Sequence, residues 1–355
     1  MLVQEERDDV YFNFVNSIDS KVTRKTYEYL MSKFLKYCNL DLGSLLRLSQ
    51  QDLSNLIIKY LVSQKISSQY KNQIFAAIKH ACEMNDVILN WKKLKKFIKS
   101  EKTNNQINGK DRGYTHEEIQ KILEFSDQRL KTAFLVLAST GIRIGSLQSI
   151  RISDLQRIDN LYKIIVYSGD REEYFTFCTP ECAKEIDAYL DFRIRRGEHI
   201  IQDSFLLVRK FSQVTKIKGK PFKGRALWAI LKDGISNSGL REIDHVHPYK
   251  MKQIPILHGF RKFYTKQLVD SNLNPEIREM LLGHKIGLAS CYYKPTEQEM
   301  LQEYLKAVPL LTVSNEERLK FKLEQRITIE KTQLEALKAD FEKFKNEVLK
   351  QRKRK

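Results

Sequence analysis

Apolar residues in the first hundred positions recur at spacings of three and four, which is the period of an amphipathic helix. Two such faces consist of Tyr27, Leu30, Phe34 and Tyr37, and of Leu56, Ile57, Tyr60 and Leu61. A third apolar pattern spans residues 74–84 and precedes Trp91. The pattern predicts a small all-helical domain over residues 1–100, and it is equally typical of any four-helix domain.

Residues 101–112 interrupt the helical pattern. They are polar, contain a glycine and have no apolar period, so they predict a linker between two domains. Thr115 follows the linker, and Glu118 stands three residues later, which is the signature of a capping box at the start of a helix. The next predicted helix, at 131–139, is apolar on most faces. We therefore expect Arg143 where a buried helix gives way to a turn.

Strand signals are clearest between Leu161 and Thr179. Two runs of β-branched and aromatic residues, at 164–167 and 174–177, flank a turn at 168–170. This arrangement predicts a β-hairpin, followed by a helix over 181–196. The basic stretch 209–225 contains two glycines and a proline, and it predicts a loop that is either solvated or follows a DNA backbone.

After Thr312 the pattern changes to one of widely spaced apolar positions among lysine and glutamate. The apolar positions are Leu323, Ile327, Leu334, Leu337, Phe341, Phe344 and Val348. Their spacing is typical of a coiled-coil seam, so residues 313–355 predict a long helix that contacts a partner chain. The alternative is an amphipathic helix that folds back on the core. Residues 351–355 form a basic tail.

Composition narrows the class of partner. The 355 residues suffice for two domains, and a formal charge of +18 with a pI near 9.5 favours nucleic acid. The five cysteines lack CxxC spacing, which predicts neither a disulfide framework nor a zinc site. The N-terminus lacks the regions of a signal peptide, and no apolar run reaches membrane-spanning length. We expect a soluble cytoplasmic protein without a metal or cofactor.

The candidate chemistry lies in a series of basic residues that ends in a tyrosine. Arg143 follows a Thr-Gly-Ile segment, His258 and Arg261 stand three apart, and His284 follows Leu-Leu-Gly. Tyr293 comes nine residues after His284. Cutting a phosphodiester without metal requires a nucleophile, fixed positive groups around the phosphate oxygens, and an acid for the leaving oxygen. The series supplies most of these groups.

In order and spacing, the five residues resemble the catalytic series of tyrosine recombinases, the lambda-integrase-like enzymes. The resemblance reaches from the N-terminal helices to about Leu311, and it is strongest at 140–147, 258–268 and 281–295. It implies a mainly α protein with a small antiparallel sheet. The helical domain, 1–100, would clamp DNA opposite a mixed α/β catalytic domain at 113–312. The ending after Tyr293 looks most like integrases of archaeal viruses and mobile elements.

The resemblance also implies the reaction and a role for each residue. Arg143 and Arg261 would clamp the scissile phosphate, His258 would accept a proton, and His284 would donate a hydrogen bond to a non-bridging oxygen. Tyr293, rather than the adjacent Tyr292, would form a 3′-phosphotyrosyl link and release a 5′ hydroxyl. The partners would be double-stranded attachment sites, with four copies joined through a swapped C-terminal segment on two duplexes. The helix at about 297–307 and the coiled-coil helix beyond it are the candidates for those contacts. Neither a membrane nor a small-molecule substrate is implied.

Two positions depart from the family pattern. Ser146 stands where many members carry glutamate, so Arg143 must be supported differently. The hairpin lysine that usually protonates the leaving oxygen has no clear counterpart. Ser168 falls at its position in one alignment, while Arg171 is the favoured substitute and Lys163 the alternative. The pKa of an arginine is too high for an efficient acid, so Arg171 would act electrostatically, with water or a lysine of another loop as donor.

Three other functions fit parts of this pattern. A chromosome-dimer resolvase of the Xer type would use the same chemistry, but such resolvases usually stop soon after the tyrosine. A type IB topoisomerase would use the same nucleophile to relax one duplex. A catalytically impaired DNA-binding or architectural protein is favoured only by the uncertain lysine.

Overall fold

The computed structural model describes residues 2–98, 112–209, 219–222, 224–240, 254–285 and 293–321, with single positions as far as 338. The chain divides into two compact units, residues 1–107 and 108–355. Most of the predicted linker therefore lies outside the described residues, as do Tyr292, Cys291 and most of the 209–225 loop.

The first unit is entirely helical over its described residues. Its helices are α1 (Leu2–Asn16), α2 (Lys21–Cys38), α3 (Leu42–Leu46), α4 (Gln50–Ser63), α5 (Ser68–Glu83) and α6 (Trp91–Lys95). Polar side chains accept hydrogen bonds from backbone N–H groups at most of the starts, as Ser20 does for α2 and Asp41 for α3. Phe34, Ile57 and Ile78 are completely buried, so the helices predicted from the apolar period enclose a core.

The second unit combines helices with one small sheet. Its helices are α7 (His116–Glu124), α8 (Gln128–Thr140), α9 (Ile144–Leu147), α10 (Pro180–Arg195), α11 (Ala226–Asn237), α12 (His258–Asp270), α13 (Pro275–Leu281) and α14 (Glu297–Leu311). The strands β1 (Leu155–Ile158), β2 (Leu161–Val166) and β3 (Tyr174–Phe177) pair antiparallel in the order β1-β2-β3. The predicted fold class, mainly α with a small antiparallel sheet, is confirmed.

Helix α8 runs through the core of this unit, as its apolar sequence predicts. Every residue from Thr132 to Thr140 is buried. Phe134 stacks on Phe260 of α12 with ring centroids 5.4 Å apart, and the hydroxyl of Tyr304 on α14 donates to the Ser139 carbonyl over 2.7 Å. These contacts fix the end of α8 and the start of α12 within one rigid core.

The entry to the second unit packs against α12. The predicted capping box at Thr115 and Glu118 is present, and Arg112 forms an ion pair with Glu118 over 2.6 Å. Gly113 lies so close to α12 that an added Cβ would be 2.5 Å from the Phe263 nitrogen. Tyr114 donates its hydroxyl hydrogen to the Ile256 carbonyl over 2.8 Å. The start of the second unit is thus fixed directly to α12.

A buried ion pair fixes the segment after α10. Arg193 and Glu198 have 0% and 2% of their side-chain surface exposed, and they share two hydrogen bonds of 2.8 and 2.7 Å. Arg193 also donates to the Phe205 and Leu206 carbonyls, and Glu198 accepts from the Gly219 nitrogen. The hydrogen bonds of this pair therefore hold residues 205, 206 and 219 against the end of α10.

Helix α14 contributes to the core of its own unit. Met300, Leu301, Tyr304, Ala307, Val308 and Leu311 are buried. Residues 315–321 are again helical, and Leu323 and Ile327 are 59% and 42% exposed. The rest of the predicted coiled-coil seam lies outside the described residues. None of the helices described here is long and apolar enough to cross a membrane.

Candidate functional site

Arg143 lies where the sequence predicts it, in the turn after α8. Gly141 ends α8 in the left-handed conformation, with φ of +61°, and an added Cβ there would lie 2.3 Å from the Tyr264 ring. Ile142 turns into the core, and Arg143 begins α9 with its side chain exposed. The Arg143 side chain makes no hydrogen bond or ion pair with another described residue. Its guanidinium is therefore available to an anion.

Ser146 supports the backbone of Arg143 rather than its side chain. The buried Ser146 hydroxyl donates to the Arg143 carbonyl over 2.7 Å. A glutamate at this position could pair with the guanidinium, whereas the serine hydroxyl only closes the short helix α9.

Arg261 is the most firmly held of the predicted site residues. It is 7% exposed and donates to the Gly141 and Leu282 carbonyls, each over 2.7 Å, and to His284 Nε2 over 2.8 Å. Burial lowers the pKa of the Arg261 guanidinium, but an arginine remains charged at neutral pH because its usual pKa lies far above neutrality. The site thus contains a fixed positive charge that joins the end of α8 to the turn after α13.

His284 connects Arg261 to an acidic residue. Its Nε2 accepts from Arg261, so in the neutral ring the proton lies on Nδ1 and is donated to Glu279 Oε2 over 2.6 Å. This hydrogen bond from His284 lowers the pKa of the Glu279 carboxyl. His284 can donate from Nε2 to a phosphate oxygen, as predicted, only after Nε2 has gained a proton and given up its hydrogen bond from Arg261.

His258 is the first residue of α12 and is exposed. Arg261 follows one turn later on the same helix, which places the two side chains on one face. The structure therefore brings together Arg143, Arg261 and His284, with His258 one helical turn from Arg261.

Tyr293 does not join this group. Its hydroxyl accepts a hydrogen bond from Asn274 Nδ2 over 3.4 Å, at the first turn of α13. Arg261 instead contacts Leu282, just past the other end of that helix. Asn274 and Leu282 are eight residues apart, which corresponds to about 12 Å along a helix axis. Tyr293 and the cations therefore lie at opposite ends of α13.

The surroundings of Tyr293 favour its neutral form. Partial burial raises the pKa of the phenol, and the carboxylates of Glu299, Glu303 and Glu276 raise it further. The resemblance implies that Arg143 and Arg261 hold the phosphate that Tyr293 attacks, whereas in this structure the charges that act on the phenol are those of acids. The hydroxyl would have to move to the other end of α13 before the arginines could stabilise a phenolate.

The two substitutes for the hairpin lysine lie in different environments. Arg171 is exposed in the turn between β2 and β3 and makes no hydrogen bond or ion pair with a described residue. Lys163 forms an ion pair with Glu297 and lies 4.7 Å from the centroid of the Phe175 ring. Neither residue contacts Arg143 or Arg261 in the described part of the chain.

Tyr174, on β3, was not predicted as a site residue. Its ring packs on Gly283, and its buried hydroxyl has no hydrogen-bond partner among the described residues. The charges of Arg261 and Arg143 act on this phenol. The sequence shows only a strand with an aromatic residue, so no signal in it distinguishes Tyr174 from its neighbours.

The part of the chain that the structure describes contains no group of three histidine, cysteine or acidic side chains arranged to hold a metal ion. Cys178 and Cys182 are buried in the core, and the Cys178 sulfur accepts from the Tyr162 nitrogen over 3.4 Å. These two thiols are packing residues.

Comparisons with known proteins identify the family and the fold. The sequence model described as the phage integrase family matches residues 113–299. No curated protein sequence matches the chain. A lambda integrase fragment (75–356), a dimer bound to a COC′ core site, is 16% identical, covering 82% of this chain and 98% of that one with a TM-score of 0.54.

Two further solved structures have a similar fold. A lambda integrase tetramer bound to a Holliday junction is 15% identical, and the match covers 80% of this chain and 75% of that one with a TM-score of 0.51. XerH recombinase bound to its difH substrate before cleavage is 17% identical, with coverage of 79% and 78% and a TM-score of 0.51. At these identities the likeness establishes the fold.

Proposed function

The chain belongs to the phage integrase family and is a tyrosine site-specific recombinase, and from this premise we propose how its own residues cut and rejoin DNA. Arg143 and Arg261 hold the non-bridging oxygens of the scissile phosphate. Each guanidinium offers paired donors and retains its charge when water is excluded. The observation that carries the proposal is the fixed Arg261, bound to Gly141, Leu282 and His284 beside the unpaired Arg143.

In the proposed reaction the Tyr293 oxygen attacks phosphorus, and the bond from phosphorus to the 5′ oxygen breaks. His258 takes the phenol proton, a step suited to a side chain whose usual pKa is near neutrality. The 3′-phosphotyrosyl link conserves the bond energy, so a 5′ hydroxyl from the partner duplex reverses the step without ATP or a metal. The transition state is stabilised by charges that are already in place.

We propose that Tyr293 reaches the phosphate only after it leaves Asn274. The 3.4 Å hydrogen bond from Asn274 is long, so little is lost when it breaks. The carboxylates around Tyr293 disfavour the phenolate where the hydroxyl now lies, and the arginines favour it at the phosphate. The resting position thereby keeps the nucleophile inactive until DNA is bound.

We infer that four copies act on two duplexes, as in the lambda integrase tetramer on a Holliday junction. Residues 313–355 are the segment we propose for contacts between copies, because α14 already contributes to the core of its own unit. The residues from Tyr293 to Pro295 and the segment 303–312 favour an element of an archaeal virus or another mobile element. The alternative is a resolvase of the Xer type.

A suicide substrate, whose cleaved strand is lost so that religation fails, tests the nucleophile. We expect a covalent protein–DNA adduct with the wild-type chain in EDTA and with Tyr292→Phe, which is the matched control. Tyr293→Phe should bind the same DNA and form no adduct. An adduct with Tyr293→Phe would refute the assignment, and binding without any wild-type adduct would favour the architectural alternative.

Two further assays separate the related functions. Exchange between two attachment sites is expected of an integrase, whereas relaxation of a supercoiled plasmid without exchange indicates a topoisomerase. Exchange confined to identical chromosomal sites would indicate a resolvase.

A further inference from the structure

The hydroxyl of Tyr174 is buried and has no hydrogen-bond partner among the described residues. A buried donor without a partner lowers stability, and such groups in native proteins are often found where a ligand or a catalytic step uses them. The ring is fixed in place, because a Cβ added to Gly283 would lie 2.5 Å from its Cζ atom. The hydroxyl is therefore held at one point beside Arg261, where no hydrogen bond of ordinary geometry to a described residue satisfies it.

That point lies beside the charges of the phosphate site. Burial raises the pKa of the Tyr174 phenol, and the charges of Arg261 and Arg143, together with a polar interaction with Arg261, lower it in part. Gly283, on which the ring packs, precedes His284, and His284 accepts from Arg261. Tyr174 thus lies near Arg261 and Arg143 and against the turn that carries His284.

The strand register separates Tyr174 from the alternative acid Lys163. Tyr174 pairs with Val166, whereas Lys163 pairs with Phe177. Paired residues share a face of the sheet and neighbouring residues alternate, so Lys163 and Tyr174 project from opposite faces. Lys163 also has a partner in Glu297. The hairpin therefore presents a phenol, rather than an amine, to the arginines.

We propose that Tyr174 is a catalytic residue that protonates the leaving 5′ oxygen, an inference that rests on the proposed strand transfer. As the bond from phosphorus to the 5′ oxygen breaks, its electron pair stays on that oxygen and takes the Tyr174 hydroxyl proton. The products are a 5′ hydroxyl and a phenolate. In the reverse step, the phenolate removes the proton from the attacking 5′ hydroxyl. Protons and electrons balance, and no metal or co-reactant is needed.

A phenol is chemically suited to replace a lysine in this role. The usual pKa values of tyrosine and lysine are both close to 10, whereas that of arginine is above 12. Arg143 and Arg261 stabilise the phenolate that forms. Because the hydroxyl is buried in the structure, the phosphate reaches it only after a local rearrangement.

The test compares Tyr174→Phe with Tyr167→Phe on two substrates. Tyr167 is a matched control because it lies on the same hairpin with its ring centroid 6.4 Å from that of Tyr174. Both variants keep the aromatic ring and lose only a hydroxyl. One substrate has the natural 5′ oxygen, and the other has sulfur at that bridging position, which leaves without a proton.

We expect Tyr174→Phe to cleave the oxygen substrate about 10²–10⁴-fold more slowly than the wild type, the usual contribution of a general acid. Cleavage of the sulfur substrate should return to the wild-type rate, and Tyr167→Phe should match the wild type on both. Wild-type rates for Tyr174→Phe on the oxygen substrate would overturn the proposal. Equal slowing on both substrates would also overturn it, because the hydroxyl would then act through the arginines.

Failure of the strand-transfer scheme itself gives a different result. In that case the wild-type chain forms no adduct with either substrate, or Tyr293→Phe forms one. If the wild-type chain forms the adduct and Tyr293→Phe does not, the rates of Tyr174→Phe test the role of Tyr174 alone. Arg171→Ala on the same substrates completes the comparison, and rescue by sulfur for Arg171→Ala but not for Tyr174→Phe would assign the acid to Arg171.

Discussion

Replacing Gly283 by alanine would place a methyl group inside the ring of Tyr174. The added Cβ would lie 2.4 Å from Cε1, 2.5 Å from Cζ and 2.7 Å from Cδ1. Carbon atoms in contact are separated by about 3.5–4.0 Å. The ring or the turn must therefore shift by roughly 1 Å, and the turn carries His284.

Two costs add up in this variant. Gly283 has φ of +68°, and a residue with a side chain in that conformation loses about 1–2 kcal/mol. Forcing an extra carbon into a packed site costs about 1–3 kcal/mol. We expect the free energy of unfolding to fall by about 2–5 kcal/mol. Because a 1 Å error in a catalytic group can cost about 10²-fold in rate, adduct formation should slow by that order.

Gly169→Ala is the matched control. Its φ is +77°, and nothing lies within 4 Å of an added Cβ, so it carries the backbone cost without the collision. Urea unfolding and single-turnover adduct formation at saturating DNA measure the two effects. If Gly283→Ala and Gly169→Ala lost equal stability and cleaved equally fast, the packing of Tyr174 on the turn would not control the site.

Two predictions concern stability. Glu198→Gln should lower the free energy of unfolding by about 3–5 kcal/mol because it leaves the buried Arg193 without its ionic partner. Glu317→Gln, which removes a more exposed pair, should lower it by less than about 1 kcal/mol. Similar urea midpoints for the two variants would contradict this. His116 Nε2 lies 2.6 Å from the Leu310 carbonyl oxygen, and burial lowers its pKa. Below about pH 6.5, His116 binds a proton more readily in the unfolded chain than in the folded chain. As the pH is lowered, the free energy of unfolding of the wild type should therefore decrease more steeply than that of His116→Gln. Equal slopes for the two proteins would rule this out.

Local signals in the sequence were enough to predict the helices, the hairpin and the place of Arg143. The capping box at Thr115, the apolar period of α8 and the β-branched run of β2 each act within a few residues, and each is present. The contact between Arg261 and His284 was also predictable, because the family resemblance assigns both residues to one site although they lie far apart in the chain.

The remaining features depend on packing that no short pattern encodes. The position of Tyr293 at Asn274 follows from how the chain before α14 passes the start of α13, and the spacing from His284 contains no information about it. Tyr174 looks like any aromatic residue of a strand until Gly283 places it under the arginines. Ser146 predicts altered support for Arg143, and only the structure shows that it bonds to the backbone.

Gly113 and Tyr114 connect the start of the second unit directly to α12. Gly113 passes against the backbone at Phe263, and Tyr114 is bonded to the residues just before and within the first turn of α12. A displacement at Gly113 or Tyr114 is therefore transmitted by direct contacts to the helix that bears His258 and Arg261. A substitution at Gly113 is expected to act on the position of those two side chains although Gly113 itself lies outside the site.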